Sequence, residues 1–199
     1  MNRIPIAVAF SLLLLLSGCT GVPEGIRPVS GFEPERYLGT WYEIARLDHS
    51  FERGLSSVTA EYSAREDGGI DVVNRGLDAA SGEWETARGR AYFVDGRDRG
   101  HLKVSFFGPF YGAYVVFELD DDYRHALVAG PNRDYLWLLA RTPDPDAAVV
   151  ERLLARAAEA GFDVEALIRV EHQVAGGPES GSSLFSQHPF AAEAAPTED

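Results

Sequence analysis

Few residues of this chain have the type and spacing that chemistry needs, and the most telling is Glu43. It lies in Gly39-Thr40-Trp41-Tyr42-Glu43-Ile44-Ala45-Arg46. Read as a strand, this run puts Trp41, Glu43 and Ala45 on one face and Tyr42, Ile44 and Arg46 on the other. With the tryptophan face inside, Glu43 is a buried carboxylate. Such a group needs a hydrogen-bonding partner, for which Tyr62 is a candidate, or it takes up a proton. Contact with a ligand's polar group is the functional alternative. Elsewhere the chemistry is sparse. His49, His101 and His125 fall on different expected elements, without metal-ligand spacing. Asp120-Asp121-Asp122 lacks the spaced ligands and glycine of a calcium loop and reads as a solvated turn. There is no Gly-x-Ser-x-Gly elbow, and the single cysteine, Cys19, follows an apolar leader. No catalytic constellation, metal site or cofactor motif emerges.

The elements that would position these residues are short and extended. Runs rich in β-branched and aromatic residues, split by Gly, Asp and Asn, predict strands over 40–46, 58–63, 70–77, 83–94, 101–107, 114–119, 123–129 and 135–141. Regular spacing without intervening helices predicts an all-β fold, an eight-stranded antiparallel up-and-down barrel, whose closure removes exposed edges. Alternation puts Val58, Ala60 and Tyr62 inside, then Ile70, Val72 and Asn74, then Leu102, Val104 and Phe106. With Arg88 and Arg90 in water, Ala87, Gly89 and Ala91 face inward. Residues 114–119 are apolar on both faces, a pattern that needs a covering helix or a partner and therefore raises the possibility of a homodimer. After Thr142-Pro143-Asp144-Pro145-Asp146, with Asp144 as the expected N-cap, Val149, Val150, Leu153, Leu154 and Ala157 recur at helical spacing and Gly161 stops the helix. This stripe is expected to pack on the barrel's outer wall, with Ile44 a candidate contact. Residues 168–172 are expected to add a last short strand.

The ends have a different character. Residues 1–18 read as a signal peptide, with Arg3 before an apolar stretch from Ile4 to Leu16. Leu16-Ser17-Gly18-Cys19 resembles a bacterial lipobox, which implies cleavage before Cys19 and acylation of that cysteine. Thr20 rather than Asp follows, which in the sorting pattern of such lipoproteins implies the outer membrane. Residues 19–31 read as a lipidated tether, 32–173 as the domain, and 174–199 as a disordered acidic tail. The net charge is −13, and loss of Arg3 with residues 1–18 takes it to −14. Such a surface repels nucleic acid, and no basic stripe offsets it.

Three strings carry a family resemblance: Tyr37-Leu-Gly-Thr-Trp-Tyr-Glu-Ile-Ala-Arg46, Lys103-Val-Ser-Phe-Phe-Gly-Pro-Phe-Tyr-Gly112 and Tyr123-Arg-His-Ala-Leu-Val128. Together with Arg141 ending the last barrel strand, they resemble the bacterial outer-membrane lipocalins of the Blc type, near the apolipoprotein D-like branch. The Thr-Asp-Tyr motif of lipocalins is degenerate here, since the tyrosine after Asp120-Asp121-Asp122 is shifted. The resemblance implies a structural signature of Gly39, Trp41 and Arg141 at a closed end, where the arginine stacks on the indole. Arg141 facing inward brings Tyr135, Trp137 and Leu139 inside with it. The expected ligand-binding residues are then Trp137, Tyr114, Phe106, Val104, Asn74, Val72, Ala91, Tyr62 and Glu43, with Trp137 facing a wall of Ala87, Gly89 and Ala91. Phe51, Arg53, Phe110 and Arg133 are expected at the open mouth. The resemblance implies fatty acids or lysophospholipids as ligands, lipid storage or transport under envelope stress, and a lipid anchor at the periplasmic face of the outer membrane. The alternatives are a lipocalin-fold enzyme of isomerase or de-epoxidase type, disfavoured by the lack of a paired acid and base inside, and a structural lipoprotein with a filled barrel.

Overall fold

The computed structural model describes residues 20–173, so the leader, Cys19 and the tail from residue 174 lie outside the described residues. Strands form where the alternation expects them. They are β1 (Gly39–Arg46), β2 (Leu55–Ala64), β3 (Ile70–Asp78), β4 (Trp84–Phe93), β5 (His101–Ser105), β6 (Gly112–Leu119), β7 (His125–Ala129) and β8 (Leu136–Ala140). Each pairs antiparallel with the next, and β1 pairs with both β8 and β2, which closes the barrel. A ninth strand, β9 (Ile168–Arg169), pairs with Ala45 and Arg46 on the outside.

Two cores result from one wall. The inner core gathers Phe32, Trp41, Val72, Leu102, Val116 and Leu139. The outer one lies between the wall and helix α2 (Ala147–Glu159), with Val115, Phe117, Leu136 and Leu138 meeting Leu153 and Ala157. Ile44 packs into this outer core, as expected. The doubly apolar β6 is therefore accounted for within one chain. Val115 and Phe117 lie under the helix side, Phe117 stacking on Phe162 at 5.5 Å, while Tyr114 and Val116 face inward. The pattern that raised a homodimer thus has an intramolecular cause.

Two local expectations are corrected. The helix is capped by Asp146, whose side chain accepts from the Ala148 N–H, rather than by Asp144. Asp144-Pro145-Asp146 holds two possible caps, and the second one has the carboxylate in reach. The regular alternation of β1 also fails after Glu43. A bulge between Glu43 and Ala45 moves Ala45 to the outer core and brings Arg46 inside. A bulge inserts a residue without leaving a mark in composition.

The closed end is built by helix α1 (Pro34–Tyr37), and by Trp41 and Arg141. The Trp41 Nε1–H donates to the Tyr37 carbonyl at 2.8 Å, and the Arg141 guanidinium stands 4.0 Å over the indole. Arg141 also donates to the carbonyls of Arg36, Thr40 and Tyr123, so one side chain ties helix α1, β1 and the β6–β7 turn together. Gly39 takes a φ of +91°, and a Cβ there would lie 3.5 Å from Arg141 Nη1.

The segment from Thr20 to Gly31, expected as a tether, runs along the wall. Ile26 is buried, Val29 bonds to the backbones of Val116 and Gly100, and the Thr20 carbonyl lies 2.9 Å from His101 Nε2.

Candidate functional site

The barrel encloses a cavity of 690 Å³ that opens at the end opposite Trp41. This volume is in the range of small-molecule sites. Alternation explains its lining, because each wall strand contributes every second residue. Trp137, Tyr114, Phe106, Val104, Asn74, Val72, Ala91, Tyr62 and Glu43 all border it. So do Phe51 and Phe110 at the mouth, where Phe107 and Phe110 are each 79% exposed.

The other two mouth residues do not. Arg53 turns outward and makes a bidentate pair with Asp48. Arg133 leaves the β7–β8 loop to donate to the carbonyls of Ala160 and Glu24, where it fastens the helix end and the N-terminal segment. Both sit in loops, where no periodicity says which way a side chain turns.

The slot expected between Trp137 and the small residues of β4 is also different. Ala91 pairs with Ile70 at the closed end of β3, whereas Trp137 lies one residue from the open end of β8. Gly89 is not open space either, since a Cβ there would come within 2.8 Å of Phe106 Cδ1. Trp137 instead belongs to an aromatic group at the mouth, with His49, Phe51 and Tyr135 at centroid distances of 5.2, 6.4 and 6.2 Å.

Under that group lies a buried polar cluster that alternation missed. Arg46 is 1% exposed and donates from Nη1 to Glu43 Oε1 at 2.7 Å, and from Nη2 to the carbonyls of Glu52 and Leu55. Glu52 accepts from Trp137 Nε1 at 3.0 Å and stands 3.0 Å from His49 Nε2. Tyr62, the partner expected for Glu43, points elsewhere. Burial first, and then the Glu52 charge, push the Glu43 carboxyl well above its ordinary range, against the pull of Arg46. Burial acts upward on Glu52 as well, but His49, Trp137 and Arg46 outweigh it and hold Glu52 below its ordinary value. Two buried carboxyls shifted in opposite directions from their ordinary range therefore face one cavity. Arg46 donates to Glu43 and Trp137 to Glu52, with His49 beside Glu52, an arrangement that rigidifies the wall.

The floor is tyrosine. The Tyr37 and Tyr62 hydroxyls lie 2.8 and 2.9 Å from that of Tyr114, and burial raises all three above the usual phenol range, so they are neutral. On the wall, Asn74 Oδ1 is buried without a partner. Among the described residues no group of three or more His, Cys, Asp or Glu side chains is placed to hold a metal.

The family model for a lipocalin-like domain matches residues 32–172. The chain belongs to the lipocalin family. The outer membrane lipoprotein Blc of Vibrio cholerae serotype O1 is 59% identical over 161 residues, covering 80% of this chain and 94% of the relative. The protein of the same name from Escherichia coli K12 is 51% identical over 173 residues, covering 86% and 98%. The lipocalin closure is also found in insecticyanin of the tobacco hornworm Manduca sexta, with a TM-score of 0.63 at 19% identity over 77% of this chain and 87% of the other, which speaks to fold alone. As a lipocalin, the chain is a hydrophobic-ligand-binding protein, and its similarity to these lipoproteins places it at the outer membrane with a lipid anchor.

Proposed function

We propose that this lipocalin binds single-chain lipids, fatty acids or lysophospholipids, for lipid storage or transport at the periplasmic face of the outer membrane during envelope stress, with Cys19 as the acylated anchor. The observation that carries the reading is the cavity itself. It is deep and walled largely by aliphatic and aromatic side chains, with polar groups at Asn74, in the Glu43–Arg46–Glu52 cluster, at the tyrosine floor and at Arg75, Glu85, Thr86 and Ser105. An acyl chain of one lipid fits such a space, and burial of each methylene contributes about 0.8 kcal/mol. Exposed Phe107 and Phe110 flank the entry path. The reading is of a carrier and not an enzyme, because the cavity's one carboxyl pair is consumed by its neighbours.

Trp137 supplies the test. It lines the cavity near the entrance, so lysophospholipid is expected to change its emission saturably. Trp41 and Trp84 also emit, and Trp137→Phe separates their signals. An equal ligand-induced change in that variant removes Trp137 from the site, and no saturable binding by any probe overturns the carrier.

A further inference from the structure

The tyrosine floor has a proton count that does not close. Tyr37, Tyr114 and Tyr62 form a chain of three hydroxyls joined by two contacts of 2.8 and 2.9 Å, with Tyr114 in the middle. Each phenol carries one O–H and each contact uses one proton. Three protons for two bonds leave one donor over, whichever way the hydroxyls turn. No other side chain or carbonyl among the described residues takes it. All three rings line the cavity, and their burial keeps the protons on oxygen. The closed end therefore always presents one neutral O–H to whatever fills the barrel. Asn74, on the same cavity wall, has an unpartnered oxygen, so a spare acceptor faces the barrel as well as the spare donor.

A saturated chain leaves both unanswered. Burying a hydroxyl donor under methylenes has the cost of an unmade hydrogen bond. A chain carrying its own hydroxyl or carbonyl near the far end removes that cost, because the oxygen accepts the spare phenol proton. We infer that the floor is an oxygen-recognising subsite, and that the preferred ligand is a single-chain lipid whose acyl chain is oxygenated towards its distal end, with the headgroup left at the mouth. The inference rests on the lipid-carrier reading and adds a substrate class to it.

The test compares two lipids that differ by one oxygen. Palmitoyl lysophosphatidylethanolamine and its counterpart with a hydroxyl at the chain terminus are titrated against the full mature chain carrying Cys19→Ser, which avoids detergent. The shared headgroup keeps the chain end pointing inward in both. In an apolar barrel the added hydroxyl weakens binding roughly tenfold or more, because it is buried unpaired. With the floor as described, the hydroxylated lipid binds at least as tightly as its parent. In Tyr37→Phe/Tyr62→Phe/Tyr114→Phe the ratio of the two affinities falls roughly tenfold, since every floor hydroxyl is gone. Should that variant not fold, the ratio in the parent chain decides by itself. Tenfold weaker binding of the hydroxylated lipid by the parent chain, or an equal ratio in parent and variant, overturns the subsite and leaves the carrier standing. Failure of both lipids to bind overturns the carrier and the subsite with it.

Discussion

Arg46 and Glu43 are three residues apart on one strand, yet their side chains meet inside the barrel, Nη1 to Oε1 at 2.7 Å. A regular strand sends such a pair to opposite faces. The bulge after Glu43 makes the meeting possible, and the outer core gains Ala45 by the same shift. Arg46 then holds the β1–β2 loop through the carbonyls of Glu52 and Leu55. Arg46→Met leaves two buried carboxyls without their cation. The expected loss is ~3–5 kcal/mol, read from urea unfolding, because removing one partner of a buried pair strands the other. A loss below about 1 kcal/mol contradicts a supporting role for the pair.

The same cluster sets a pH dependence. Glu43 is raised in the folded state, so the folded protein holds its proton to higher pH than the unfolded chain does. Stability from this group is fully present below the unfolded carboxylate range and is lost as pH rises from there through the raised folded value. Glu43→Gln does not titrate. The stability of that variant relative to the parent is therefore expected to improve as pH rises from the ordinary carboxylate range upward. A flat difference between the two proteins across that span contradicts a raised Glu43.

Arg141 stacks on Trp41 at 4.0 Å and donates to three carbonyls at the closed end, away from the cavity lining. Arg141→Ala is expected to lower stability by roughly 1–3 kcal/mol with lipid affinity nearly unchanged. A large affinity loss in a well-folded variant places Arg141 in the binding site.

Cys19 is the proposed anchor. Thr20, the next residue, already lies on the wall, its carbonyl 2.9 Å from His101 Nε2. Cys19→Ser is expected to move the folded protein to the soluble periplasmic fraction. Retention with outer membranes shows that another feature holds it, for which the exposed Phe107 and Phe110 are the candidates.

Alternation was a good guide where one face of a strand met the cavity and the other met water. Val58, Ala60 and Tyr62, or Ile70, Val72 and Asn74, line the cavity as a period of two requires. It failed at β1, where a single inserted residue inverts every later side chain. It was silent at β6, because a helix distant in sequence decides which apolar face is outer. Arg53, Arg133, His49 and Glu52 lie in loops, and their partners are set by tertiary approach. A basic residue three positions after the odd interior glutamate was the one visible hint of Arg46. Nothing local marks the floor, since Tyr37, Tyr62 and Tyr114 meet only once the barrel has closed.

The central claim is that one single-chain lipid occupies the space between the mouth and the tyrosine floor. Native mass spectrometry of the protein purified from membranes, followed by identification of the released lipid, tests it most directly. Ala60 borders the cavity between the floor and Val58, and Ala60→Trp places an indole in the path of the chain. The account predicts one bound fatty acid or lysophospholipid per chain in the parent protein and none in a folded Ala60→Trp variant. An empty parent barrel, or the same lipid retained at the same ratio by the variant, contradicts it.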